Sequence, residues 1–271
     1  LVPVNTAVTE FRRTPVQTED VQRIGRYIAG IIDDGSTLQI GLGQLAHEAL
    51  QYLTDRKDLG VHSDLISDAI IPLLQSGNLT GARKTGKPFK IVASLALGSR
   101  ALYDLINGNP LFSFEPMDAV CNVATIAAQH KMVAIAQAYA VDLTGQVCID
   151  QFGGEFYSGI GGQGEFLQGA SRSPGGKPIV CMTSTTEDGT HSRIRPSLLQ
   201  GESATIARTD VHYVVTEFGI AYLFGKSIRE RAMALIELAH PQFRPGLFAQ
   251  AQAMGYLGAD QTLQNLRAYP V

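Results

Sequence analysis

The sequence predicts an α/β fold, an open and mainly parallel sheet flanked by helices. Two observations carry the prediction. Short apolar runs closed by glycine or serine (TLQIGLG, GVHSDL, KIVASLAL) alternate with stretches of helical periodicity (QLAHEALQYL, SDAIIPLLQSG, SRALYDLING), the pattern of βαβ units. Apolar residues make up 45% and charged residues 17% of 271 positions, the balance of a chain that buries a core.

Taken in order, residues 1–17 are polar, broken by Pro3 and Pro15, and read as a linker or arm. Residues 18–271 read as one domain. A helix begins at Thr18, whose hydroxyl can cap it, with Glu19 and Asp20 at the positive end of its dipole. Val21, Ile24, Ile28, Ile31 and Ile32 keep helical spacing until Gly35 stops the run. After the three strand–helix units come LFSFEP, MVAIAQAYAVD and QVCID, strands at tighter spacing, with TGQ turning a hairpin between the last two. SGIGGQGEFLQGA is glycine-rich and then helical, while KPIVCMTST and HYVVTEFGIAYL read as two further strands. SIRERAMALIELAH is an amphipathic helix capped by Ser227 and ended at Pro241, with Arg229, Glu230 and Arg231 on a solvated face. The tail from Arg244 to Val271 reads as helical packing.

Composition excludes several classes. A formal net charge of −3 lacks the basic surplus of a nucleic-acid binder. Cys121, Cys148 and Cys181 are an odd number, widely spaced and without ligand spacing, so neither a disulfide framework nor a zinc or other metal site is expected. Buried free thiols in a reducing compartment are the simpler reading. No apolar run reaches the ~18 residues of a membrane span, and the first residues lack a signal-peptide pattern. The expectation is a soluble cytoplasmic protein. The chain does not open on Met, which leads one to expect a fragment.

Four segments could carry chemistry. Gly41, Leu42, Gly43, Gln44 and Leu45 join a strand to a helix, where glycines admit close backbone approach and the helix N-terminus offers free N–H groups. With Ala46 they also match G-x-G-x-x-A, and Asp64 follows at about the 20-residue distance of a ribose-binding acid. A structural turn, a ligand loop and a dinucleotide site all remain open on these residues. In His62-Ser63-Asp64-Leu65, with Asp68 beyond, a carboxylate at a strand end points into the crevice of an open α/β sheet; alternatively Asp64 or Ser67 merely caps the next helix. Ser158, Gly159, Gly161 and Gly162 precede a helix and suit either an N–H cradle for an anion or a tight corner. Lys177, after Gly175 and Gly176, could place an ammonium on a phosphate, or simply be solvated. Glu217 falls in an otherwise apolar strand, where an unpaired carboxylate is costly, so pairing with Arg193 or Arg195 is expected.

Read together and in order, LQIGLG, GVHSDLISDAI, GSRALYDLI, VDLTGQV, FYSGIGGQGEFLQGA, GGKPIV, VVTEFGIAYLFGKSIRERA and LAHPQFR resemble the C-terminal half of the acetyl-CoA hydrolase/CoA-transferase family, which includes 4-hydroxybutyrate and acetate CoA-transferases. The likeness spans roughly residues 16–245. It implies the open α/β architecture of the CoA-transferases. It also implies an N-terminal half or partner chain that is absent here, and association into a homo-oligomer. The implied substrates are an acyl-CoA and a small carboxylic acid, with coenzyme A exchanged through an enzyme-bound thioester and no metal. Asp64 holds the position of the family's nucleophilic glutamate. Gly41–Leu45 correspond to a CoA-contacting turn, and Ser158, Gly161, Gly162 and Lys177 to further CoA contacts. Two departures stand out. Aspartate is one methylene shorter than glutamate, which opens the alternatives of acyl-CoA hydrolysis and of a CoA-binding module with weakened catalysis. Ala136 stands where the family usually has asparagine.

Overall fold

Eight short strands set the frame: β1 (Thr37–Ile40), β2 (Gly60–His62), β3 (Ile91–Ala93), β4 (Phe112–Phe114), β5 (Met132–Gln137), β6 (Lys177–Cys181), β7 (Tyr213–Thr216) and β8 (Gly219–Tyr222). They form one sheet in the order β8-β7-β6-β5-β1-β2-β3-β4. All neighbours are parallel except the β7–β8 hairpin. The structure, a computed structural model, describes residues 6–12 and 17–263. Pro3, Pro15 and the last part of the expected helical tail lie outside the described residues.

The inner strands β1, β2, β3 and β5 are buried on both faces, as parallel strands between helices must be. Along β5 the side chains alternate: Met132, Ala134 and Ala136 join one core, while Val133 and Ile135 join the other. Helices α1 (Glu19–Gly30), α2 (Gln44–Gln51), α3 (Ile71–Gln75) and α4 (Arg100–Ile106) cover the second face, contributing Ile24, Ala49, Leu73 and Leu102. Helices α5 (Val123–Ala127), α6 (Gln163–Arg172), α7 (Ile228–Leu238) and α8 (Arg244–Ala253) cover the first, with Ile126, Phe166, Ile236 and Leu247. Among the described residues no helix is long and apolar enough to cross a membrane.

Local signals hold in detail. Thr18 caps α1 by accepting the Val21 N–H, and Ser227 with Glu230 forms a capping box on α7. The TGQ hairpin pairs Ala140–Asp142 with Val147–Cys148, with Gly145 at φ 92°. Five expectations need correction. Helix α1 ends at Gly30, and Gly35 instead turns the following loop at φ 73°. HYVVTEFGIAYL is a hairpin, two strands with Glu217 and Phe218 at its tip. Glu217 is satisfied there by the Ser184 N–H at 2.9 Å and the Ser184 hydroxyl at 2.5 Å. Neither arginine serves it: Arg195 pairs with Glu202 at 2.5 Å, and Arg193 donates to the Thr185 and Tyr139 carbonyls. Arg231 is buried, donating to the Thr144 and Arg208 carbonyls, and so is not on a solvated face. The tail is helical only through α8, and turns follow to residue 263.

Two truncations separate core from cap. Ile135→Ala should cost about 2–5 kcal/mol of unfolding free energy, because its cavity lies between two layers. Ser227→Ala should cost about 1 kcal/mol, and urea titrations of both variants against the parent chain check the ranking.

Candidate active site at the reversal of strand order

From β1 the chain adds β2, β3 and β4 on one side, then returns to the other side of β1 with β5, β6 and β7. Loops leaving the carboxyl ends of β1 and β5 therefore part in opposite directions and open a crevice, the place where open α/β sheets bind ligands. The loop after β1 is Gly41–Gly43, β5 ends at Gln137, and Asp64 follows β2, the other neighbour of β1.

Asp64 sits where the ladder is interrupted. Strand β2 stops at His62, and pairing resumes between Leu65–Ile66 and Leu95–Ala96. The Asp64 carbonyl accepts the N–H groups of Ser94 and Leu95 at 3.1 and 2.9 Å, which fixes the backbone across the break. Its Oδ1 accepts the Leu65 N–H at 3.0 Å and lies 3.3 Å from the Ser63 hydroxyl. The Ser63 hydroxyl is itself anchored, accepting the Ile40 N–H and donating to the Leu65 carbonyl at 2.7 Å.

Burial raises the Asp64 carboxyl above its ordinary value. Hydrogen bonds from the Gln39 side chain, the Leu65 and Asp64 N–H groups and Ser63 oppose the shift without cancelling it. Gln39 is held for this task, since its Oε1 accepts the Ile135 N–H at 3.0 Å from β5, leaving the amide nitrogen to donate.

One glycine turn closes on this carboxylate, and a second leaves the neighbouring strand β1. A Cβ on Gly162, the residue before α6, would lie 2.9 Å from Cys121 Sγ and 3.4 Å from Asp64 Oδ2. Helix α6 starts without a side-chain cap, so its first-turn N–H groups remain available to an anion. At the other turn, a Cβ on Gly43 would meet Gln137 at 2.8 Å, and Gln137 Oε1 accepts the Leu45 N–H at 3.2 Å, capping α2 from β5. Leu42 and Gln44 border a largely apolar cavity of about 500 Å³ beside α2, shared with Ser67, Asp68 and Leu97.

The predicted residues thus divide. Gly41–Leu45, Asp64 and the Ser158–Gly162 loop converge on one edge of the sheet. Lys177 does not join them. It begins β6, at the opposite edge of a parallel sheet, and its ammonium is held at 2.6 Å by both Asp33 Oδ2 and the Ile31 carbonyl. Asp68 accepts the Ser99 N–H and hydroxyl at 2.9 and 2.7 Å; Ser67 stands at the N-cap of the turn that follows, but its hydroxyl bonds His47 and makes no capping bond, and Asp64 makes none there either. His62 is structural: burial lowers it to about 4, and the neutral ring bonds the Val120 carbonyl at 2.9 Å.

Three site residues escaped the sequence reading. Gln39 and Gln137 carried a signal, a lone amide within or at the end of an apolar strand. Cys121 carried none. Its thiol is pushed up to about 11 by burial and by the charges of Asp64 and Glu165, which favours the protonated form at neutral pH. Among the described residues no group of three or more His, Cys, Asp or Glu side chains is placed to hold a metal.

Residues 98–251 match the acetyl-CoA hydrolase/transferase C-terminal domain. The chain belongs to that family. It is 43% identical over 234 residues to the 4-hydroxybutyrate coenzyme A transferase of Clostridium kluyveri, an alignment covering 86% of this chain and 54% of the relative. Among solved structures it resembles RipA from Yersinia pestis at 35% identity and a TM-score of 0.87, covering 93% of this chain and 57% of that one. It also resembles a 4-hydroxybutyrate CoA-transferase from Porphyromonas gingivalis at 37% identity and a TM-score of 0.81, covering 93% and 59%. The chain spans about half the length of the relatives it matches. Asp64 and the Gly41–Leu45 turn lie upstream of the family-matched segment and rest on the geometry described above.

The raised Asp64 carboxyl makes its charged form a liability to the fold. Stability from this group is complete below the unfolded carboxyl's pKa and is lost as pH rises through the folded one. Asp64→Asn should therefore raise the urea midpoint at neutral pH, with the gain vanishing in acid; equal midpoints across pH would contradict the burial argument. Gly162→Ala should cut turnover by roughly 100-fold by pressing on Cys121 and Asp64, read as kcat with the denaturation midpoint measured alongside.

Proposed function

We propose that this chain is the catalytic half of a CoA-transferase, moving coenzyme A from an acyl-CoA to a small carboxylic acid with Asp64 as nucleophile. One observation carries the reading: a half-buried carboxylate of raised affinity for protons stands at the reversal of strand order, against the Gly162 turn. Partial desolvation makes a carboxylate more reactive towards a thioester carbonyl, at the cost of some ionisation at low pH.

The chemistry balances without metal or ATP. An Asp64 oxygen attacks the thioester carbonyl, and the C–S bond breaks to give a mixed anhydride and CoA thiolate. The thiolate then attacks the aspartyl carbonyl, releasing the first acid and leaving an aspartyl–CoA thioester. The acceptor acid reverses the sequence. Each tetrahedral intermediate bears an oxyanion, for which the open first-turn N–H groups of α6 are the nearest donors of the Gly162 turn; one such donor is typically worth about 3 kcal/mol.

Exposed Leu42, Leu95, Phe114 and Met117 near this edge support a second half or partner chain docking there and completing the acid-binding side. The three unpaired cysteines fit a reducing compartment, and the cytoplasm is the proposed location. A second reading, acyl-CoA hydrolysis, draws on the same shift: a carboxylate with raised pKa is a better base towards water.

Borohydride reduction of the whole protein with acyl-CoA should convert Asp64 to homoserine, found by peptide mapping. Asp64→Ala should lose at least about 10³-fold in turnover. The acid limb of kcat/KM should lie above the usual aspartate range, because the nucleophile must be ionised. Turnover to free CoA with no trapped adduct at Asp64 would favour hydrolysis, and unchanged turnover in Asp64→Ala would refute both readings.

A further inference from the structure

On the face of the sheet covered by α5, a cavity of about 230 Å³ opens beside β2 and β3. That is room for roughly 7 or 8 waters at liquid density, or for a short aliphatic ligand. Val92, Ala119 and Val120 give it a largely apolar wall. Set into that wall is Lys84, a lysine only 3% exposed. Lysine is almost never buried to this degree without a partner charge.

Lys84 has no such partner among the described residues. Its ammonium donates to the Gly86 carbonyl and pairs with no carboxylate. Glu115, which also lines the cavity, is taken by Lys87 and the Ser113 hydroxyl. Burial, with the Lys87 charge added, lowers Lys84 to about 8, as expected of a cation without a counter-ion. At neutral pH the ammonium form still prevails, with two N–H groups left to donate.

Two neighbours present the same polarity. Gln129 is 2% exposed. Its Oε1 accepts the Gly86 N–H at 3.1 Å, and its Nε2 donates to the Thr125 carbonyl at 3.3 Å and keeps a second N–H. Asn122 spends its Oδ1 on the Ala124 and Thr125 N–H groups, capping α5, and keeps its amide hydrogens. These amides have used their acceptors and retain donors. Such a cavity is complementary to an anion, and its apolar wall to an anion with a hydrocarbon tail.

The cavity is separate from the crevice of Asp64. His62 and Val120, joined at 2.9 Å from the ring to the carbonyl, stand in its wall. Neither Asp64 nor any residue of Gly41–Leu45 or Ser158–Gly162 lines it. Cys121, the residue after Val120, belongs instead to the Gly162 turn.

We infer that this cavity is a second binding site, for a short-chain aliphatic monocarboxylate, with Lys84 and Gln129 holding the carboxylate and Val92, Ala119 and Val120 holding the chain. Inorganic phosphate suits it less, because most of the wall is apolar and Lys87 is already paired. The inference stands apart from the reaction proposed for Asp64.

The probe is butyrate, carbon-13 labelled at its carboxylate and titrated by NMR against the whole protein. Lys84→Met keeps a side chain of similar length without the charge, and should weaken binding about 10- to 100-fold. Ala119→Phe fills the cavity from an exposed position without removing a hydrogen-bonding side chain. It should weaken binding as much, and it decides the matter if Lys84→Met lowers stability. Butyramide should not compete, phosphate should compete only weakly, and Asp64→Asn should bind butyrate as the parent does. Affinity should fall as pH rises through about 8, where the Lys84 ammonium loses its proton. Of the other groups facing the cavity, His62 is already neutral there, and Glu115, held low by Lys87 and Ser113, stays ionised. The fall should therefore be absent from Lys84→Met.

Butyrate binding unchanged in both Lys84→Met and Ala119→Phe would overturn the inference. So would no binding to the whole protein, as when a second half or partner chain covers the opening, or tighter binding of phosphate than of butyrate. Loss of binding in Asp64→Asn would also overturn it, by assigning the acid to the crevice. Borohydride trapping at Asp64 tests the catalytic reading separately, since that adduct forms whether or not this cavity is filled.

Discussion

The arrangement depends on β1 being paired in parallel with β2 on one side and β5 on the other. Thr37 is in register with both Gly60 and Met132, so all three strands run the same way and discharge their loops at one edge. Gln39, on β1, makes the constraint chemical: one end of its amide holds the β5 backbone while the other faces the Asp64 carboxylate. A shift of one residue in this register would turn Gln39 to the opposite core and leave the acid without its donor.

Around that axis the protein works by balanced desolvation. Asp64 is buried enough for its proton affinity to rise, yet it is furnished with hydrogen bonds that keep its charged form accessible. Cys121, beside it, receives burial plus neighbouring negative charge and is held as a thiol. One environment thus ranks two potential nucleophiles, and the ranking follows from the sign of the groups: negative neighbours add to burial in penalising the thiolate, while the carboxylate is met mainly by donors. The glycines at 43 and 162 serve the same end sterically, since a Cβ at either would strike Gln137 or Cys121.

What could be read from the chain before folding was the alternation of strands and helices, because periodicity, glycine stops and caps such as Thr18 and Ser227 are local properties. Asp64 and the two glycine turns were legible as ordered motifs. The misplacements have a common cause. Lys177 followed a glycine pair that resembled a phosphate loop, but a residue at the start of a parallel strand lies a sheet's width away from the carboxyl ends. Glu217 was expected inside a strand because a tight two-residue hairpin tip flanked by apolar runs looks continuous, and its true partner, Ser184, is 33 positions away. Arg231 was placed on a solvated face because helical periodicity does not reveal that a loop closes over that turn.

The amino-acid order alone therefore determined most element types and the family resemblance, and offered Asp64 as a candidate, all of which follow from short-range pattern. Only the tertiary structure decided which strand order brings the turns together, that Gln39 and Cys121 neighbour Asp64 while Gln137 caps α2, and that Arg193 stands over rings from a distant segment. Those facts depend on contacts between residues far apart in sequence, such as Leu45 with Gln137, and on burial. Neither has a local signature, since the same side chain is charged or neutral, free or engaged, according to what the rest of the fold packs against it.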